Sequence, residues 1–204
     1  MKKNILVLVL ALISVNYSFT QALEKGNVII DPYYGFPNLG KSFAEVIIGD
    51  EFDEDIGLVP IGPAGLRAEL MIADNFGLGL DFIYNSISGT GTVDSLNLDG
   101  TFNSSYDLTV YSRRFRFHLR ANYHFVQDEN LDAYIGLGVG SNTRSVGGKT
   151  DFPNYSLGSF TGSIIPISAR FAIGTRYFFT ENLGLNLELG LGGPLISGGL
   201  SLKF

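Results

Sequence analysis

Between positions 115 and 125 an apolar side chain stands at every second residue: Phe115, Phe117, Leu119, Ala121, Tyr123 and Phe125. Arg116, His118, Arg120, Asn122 and His124 fill the places between them. A period of two means a β-strand with one apolar and one polar face. In a water-soluble sandwich the polar face meets solvent. Here Arg and His stand behind a wall of large aromatics, a pattern that suits lipid on one side and a packed polar interior on the other. Several other segments repeat it. The expected fold is all-β: an eight-stranded antiparallel up-and-down transmembrane β-barrel.

The amino terminus points to the same destination. Met1-Lys2-Lys3 is a positive start, Ile5 to Val15 a short apolar stretch, and Ser18-Phe19-Thr20-Gln21-Ala22 a run with small residues suited to cleavage. That order predicts a secretory signal peptide over 1–22 and a barrel domain over 23–204. The apolar stretch is too short for a spanning helix, which needs roughly 20 residues. The 204 residues include no Cys, which removes disulfides, thiolate chemistry and Cys-ligated zinc from consideration. A formal charge of −6 opposes nucleic-acid binding, which needs a basic face to neutralise phosphates.

Three short polar turns recur at near-even spacing: Ala73-Asp74-Asn75, Gln127-Asp128-Glu129-Asn130 and Thr180-Glu181-Asn182. Each leads into an alternating run, so the unit is a hairpin of roughly 50 residues. Longer Gly-, Ser- and Asn-rich connections are expected at 38–61, 85–105 and 141–162, with a short one at 192–194. Eight strands follow, at 27–36, 64–72, 76–85, 108–125, 131–140, 165–178, 183–192 and 196–204. Most reach the roughly 9–11 tilted residues that cross a bilayer. Short turns on one side and long loops on the other match a periplasmic and an extracellular side.

The alternation sorts residues onto two faces. Leu66, Leu70, Leu78, Leu80, Phe82, the strand-four aromatics, Ile135, Leu137, Phe171, Ile173, Leu185, Leu187, Leu189, Leu200 and Phe204 share one of them. The other takes Arg67, Glu69, Asp81, Arg116, His118, Arg120, Asp132, Tyr134, Arg170, Arg176, Glu188 and Lys203, with many glycines. A charge facing lipid costs roughly 2–4 kcal/mol at the midplane. A one-residue slip of strand four would expose Arg116 and Arg120 together, so charge fixes the register. The charged set is expected to act as a structural network in the lumen. Neighbouring strands are expected to bring Arg67 and Glu69 to Asp81, and Arg120 to Asp132. A soluble lipocalin-like barrel would need the apolar face inside; the leader and the loop asymmetry oppose it.

The ending Gly199-Leu200-Ser201-Leu202-Lys203-Phe204 alternates and closes on an aromatic, as in the assembly signal of outer-membrane barrels. With the leader and the strand 76–85, it resembles the small Gram-negative outer-membrane β-barrel domain family of the OmpA/OmpX type. The resemblance spans the mature chain and implies location in the outer membrane, contact with its lipid, and roles such as adhesion or envelope integrity. A lipid A-modifying member would be expected to carry a His-Ser arrangement at the lipid face, and this sequence has none.

Other candidate chemistry has a simpler reading in each case. His118 and His124 lie inward on one strand and are expected to be satisfied among Arg and Glu rather than to relay protons. The glycines of Gly136-Leu137-Gly138-Val139-Gly140 alternate along a strand with no helix after them, so the nucleotide-binding context fails. The acidic run Asp50-Glu51-Phe52-Asp53-Glu54-Asp55 lacks the glycine placement and bidentate Glu of a calcium loop. Strand four is long enough to continue outward, where a protruding hairpin would open an edge to a partner strand, but an ordinary ordered loop is the simpler expectation. No catalytic, cofactor or metal residue is expected. The function expected is non-enzymatic, structural or surface-interacting through extracellular loops, with a small pore as the alternative.

Overall fold

The structure is a computed structural model that describes residues 22–38, 57–96, 102–153, 157–163 and 165–204. Its strands are β1 (Val28–Phe36), β2 (Gly57–Ala73), β3 (Phe76–Leu96), β4 (Phe102–Gln127), β5 (Leu131–Thr150), β6 (Ser159–Gly162), β7 (Ile167–Phe178), β8 (Leu183–Leu191) and β9 (Ile196–Lys203). Eight of them close a ring in the order β1-β2-β3-β4-β5-β7-β8-β9, every neighbouring pair antiparallel. The seam joins β1 to β9, from Ile29↔Lys203 to Phe36↔Ile196. β6 lies outside the ring and extends the edge of β5, from Arg144↔Gly162 to Gly147↔Ser159.

Asp74 and Asn75 turn β2 into β3, and turns only slightly longer join β4 to β5 and β7 to β8. The start of β1 meets the end of β9 at this turn end, where Val28 and Phe204 exchange two backbone hydrogen bonds of 2.9 Å. The opposite rim is the loop end. There the strands outrun their expected limits. Pairing of β3 with β4 continues from Phe76↔Tyr123 to Ser95↔Ser104 without a break, and β5 follows β4 as far as Thr150↔Leu108. Much of the connections expected at 85–105 and 141–162 is therefore strand. Their Gly, Ser and Thr content reads as loop in isolation, but β-propensity depends on the neighbour. Here the neighbour is present, with Thr90 and Thr109 hydroxyls 3.0 Å apart and Ser105 donating to Asp94 at 2.6 Å. A sheet built from β2 to β6 thus projects beyond the ring. The acidic run 50–55, and residues 1–21 of the expected leader, lie outside the described residues.

Burial is inverted relative to a water-soluble barrel. Leu80, Phe117, Leu137, Leu187 and Leu200 are exposed outward, whereas Arg67, Glu69, Asp81, Arg120, Asp132, Arg176 and Glu188 are buried inward. A lipocalin-like arrangement would reverse both sets. Aromatics also sort by height. Tyr123, Phe125, Tyr177, Phe179 and Phe204 ring the outer surface near the turn end, and Tyr34, Phe36 and Phe115 ring it near the loop end. Mostly aliphatic side chains fill the band between. Along β3, Phe76 to Tyr84 spans about 27 Å at roughly 3.4 Å per residue. A strand tilt of roughly 40° makes that about 20 Å of height, near the roughly 25 Å apolar band of membrane barrels. Continuous apolar surface on this scale is not left to water by a soluble monomer.

Candidate functional site

Inward positions alternate along each strand, and small residues make room for long ones. A Cβ at Gly77 would meet the Glu69 carboxylate, one at Gly136 the Asn122 amide and the Arg120 guanidinium, and one at Gly174 the Tyr134 ring. Arginines therefore fill a lumen that eight strands leave only wide enough for side chains.

Two layers of ions occupy it. Near the turn end Arg176 holds three carboxylates: Nη2 is 2.9 Å from Asp31 and 2.6 Å from Glu69, and Nη1 is 3.0 Å from Asp132. His124 bridges the same group, with Nδ1 2.7 Å from Asp132 and Nε2 3.0 Å from Glu69. Ser201 donates its hydroxyl to Asp31 at 2.6 Å. Toward the loop end Glu188 gathers three guanidiniums, from Arg67 at 2.5 Å, Arg120 at 2.8 Å and Arg170 at 2.5 Å. Asp81 joins this layer beside Arg120 at 3.3 Å and Arg170 at 3.4 Å, and accepts from the Tyr33 hydroxyl at 2.6 Å. Tyr134 links the layers. Its hydroxyl donates to Glu188 at 2.9 Å while its ring lies 4.5 Å from the Arg176 guanidinium.

The expected neighbour pairs are only partly realised. Register sets Arg67 opposite Asp81, yet the Arg67 guanidinium reaches Glu188 on β8, stacked 4.2 Å over the Tyr33 ring. Arg120 joins Asp81 and Glu188, whereas Asp132 belongs to Arg176 and His124. Arginine is longer than the spacing between strands, so its partner is set by the cross-section of the lumen rather than by the adjacent strand. Three residues expected in the network stand apart from it. Lys203 donates to the Ala22 carbonyl at 3.0 Å and lies 5.1 Å from the Phe178 ring, at the turn-end mouth. Both ring nitrogens of His118 are buried without a hydrogen-bond partner, and so is Nε of Arg116.

Asp31 was missing from the sequence expectation although Ile29, Asp31 and Tyr33 alternate inward as clearly as any set. Asn186, which accepts from Arg67 at 2.9 Å, was also legible from its place between Leu185 and Leu187. The turn-end closure had no such signal. Residues Ala22 and Leu23 are buried against Ile29, Met71 and Phe178, a small apolar cluster across the mouth. It is tied down by Ala22 N–H to the Asp128 carbonyl at 2.9 Å and Gly26 N–H to the Met71 carbonyl at 2.8 Å. Among the described residues, no group of three or more carboxylate or imidazole side chains is placed to share a metal ion.

No family model matches the sequence, and no curated protein matches it. Among solved structures, it is similar to the N-terminal β-barrel domain of Pseudomonas aeruginosa OprF, at 16% identity and a TM-score of 0.45, covering 89% of this chain and 100% of that one. It is also similar to Ail, the attachment invasion locus protein of Yersinia pestis, solved with the heparin analogue sucrose octasulfate. There the identity is 11% and the TM-score 0.42, with 88% of this chain and 99% of that one covered. The strand pairing of this chain itself closes the barrel.

Proposed function

We propose that the protein is a closed, non-enzymatic barrel of the outer membrane that works through its projecting sheet as a surface-interaction module. In this reading lipid covers the aliphatic band, the turn end is periplasmic and the loop end extracellular. The packed ion layers and the apolar cluster at the turn end support a lumen that does not conduct. His124 lies wedged between two carboxylates, buried where no substrate reaches it, which supports the absence of catalysis.

The observation that carries the interaction role is the projecting sheet. Beyond Thr90, β3 pairs with β4 alone among the described residues, an arrangement suited to β-augmentation. The same sheet holds an apolar cavity of about 440 Å³ lined by Tyr106, Leu108, Phe152 and Leu157 among others. Photo-crosslinkers at Thr92 and Lys149 in intact cells are expected to capture a discrete partner, while one at Asn75 on the turn end does not. Planar-bilayer recordings of the purified protein are expected to show no steady channel. Reproducible conductance abolished by a bulky residue at Gly138 would replace this reading with a pore.

A further inference from the structure

On the inward faces, among the described residues, the carboxylates stop at Asp81 and Glu188, but cations continue toward the loop end. β4 adds His118, Arg116 and Arg114, and β5 adds Arg144, which register sets directly opposite Arg114. Arg116 stands between Ile83 and Asn142, so neither adjoining strand offers it a carboxylate. Like charges opposite one another on paired strands repel, and Arg116 lies within electrostatic reach of Arg114, Arg144 and Arg170 together. Among the described residues, the hydrogen bond of this cluster to a neighbour runs from Arg114 Nε to Asn142 at 2.7 Å.

Burial makes the arrangement more unusual. Arg116 is 9% exposed and His118 is 0% exposed. Arg116 Nε, Arg170 Nη1 and both ring nitrogens of His118 lack a hydrogen-bond partner among the described residues. Folded proteins leave few buried polar atoms unpaired, and here four occur together beside surplus positive charge. An occupant that satisfies them needs several acceptor oxygens and more than one negative charge. Guanidinium forks match tetrahedral oxyanions in both geometry and charge.

We propose that Arg114, Arg116 and Arg144 form a binding site for a small soluble oxyanion of the phosphate or sulfate class at the loop end of the lumen. Strand alternation puts all three on the inward face, with Arg116 buried, Arg114 half-buried and Arg144 exposed at the rim, away from lipid headgroups outside the ring. The narrow interior of an eight-stranded barrel restricts the ligand to a compact anion. The site sits where the lumen meets the base of the projecting sheet, Arg144 pairing with Gly162 of β6, and it needs no partner at the open edge of that sheet. A protein that binds the anion yet yields no surface adduct keeps this site and loses the proposed function.

The test is calorimetric titration of the refolded protein, in maltoside micelles free of phosphate, with inorganic pyrophosphate at fixed ionic strength. Saturable binding is expected, weakened about tenfold or more by Arg116→Gln and by Arg144→Gln, in line with loss of charge-assisted hydrogen bonds. Arg113→Gln serves as control, because Arg113 is exposed and stacks on Tyr111 at 4.6 Å. Heat-dependent gel mobility confirms that each variant is folded; should Arg116→Gln fail to fold, the exposed Arg144 decides alone. No saturable binding by the parent, or parent-like binding by the folded variants, would overturn the site. Capture of short-chain phosphatidic acid but not of pyrophosphate would assign the cluster to lipid headgroups and overturn a soluble ligand.

Discussion

Glu188→Ala is expected to destabilise the folded barrel by about 3–5 kcal/mol, the cost of stripping one partner from a buried ion cluster. The size follows from what is left behind. Glu188 is fully buried and is the shared acceptor of Arg67, Arg120 and Arg170, with the Tyr134 hydroxyl as a fourth donor. Without it three guanidiniums crowd a space in which Asp81 is the nearest carboxylate. Glu181→Ala is the matched control, because Glu181 is exposed in a turn and its loss should stay within about 0.5 kcal/mol. Urea unfolding in micelles measures both, and equal midpoints for Glu188→Ala and the parent would show that the network does not hold the barrel.

Arg176→Met is expected to cost at least as much, again about 3–5 kcal/mol, through the opposite imbalance. Arg176 is the hub of the turn-end layer, and its removal leaves Asp31, Glu69 and Asp132 facing one another with only His124 between two of them. The thioether chain keeps much of the volume, so the effect reads charge rather than a cavity. Combining Arg176→Met with Asp31→Asn and Glu69→Gln should recover a large part of the loss, since replacing a whole buried ion group is far milder than breaking it. A triple variant no more stable than Arg176→Met alone would assign the role of Arg176 to packing against Tyr134 instead.

These two layers show how far the sequence carried the argument. Alternation placed Arg67, Glu69, Asp81, Arg120, Asp132, Arg170, Arg176 and Glu188 on the inner face, where the structure has them. Face is a property of the local period and needs no partner to be read. Pairing is not local. Whether Arg120 meets Asp132 or Glu188 depends on how a long side chain crosses the lumen, and adjacency in the sheet pointed to the wrong carboxylate. Strand length fails for a similar reason. The Ser86 to Thr92 run has a loop-like composition, and β4 alongside, with β2 on the other side as far as Thr90, makes it strand. The seal formed by Ala22 and Leu23 carries no periodicity at all, because it is a contact between a non-repeating segment and the ends of β1, β2 and β7.

A barrel with lipid outside and a closed, ion-filled interior is directly testable, because the sequence contains no cysteine. Ser201 is buried against Asp31, while its neighbour Leu200 is exposed on the outer face. In proteoliposomes, Leu200→Cys should react with a lipid-soluble maleimide and resist a charged, water-soluble thiosulfonate. Ser201→Cys, nearly isosteric with the parent, should resist both. Rapid labelling of Ser201→Cys by the water-soluble reagent would mean an open aqueous lumen, and such labelling of Leu200→Cys would mean a surface that faces water; either result rules out a closed barrel with lipid outside.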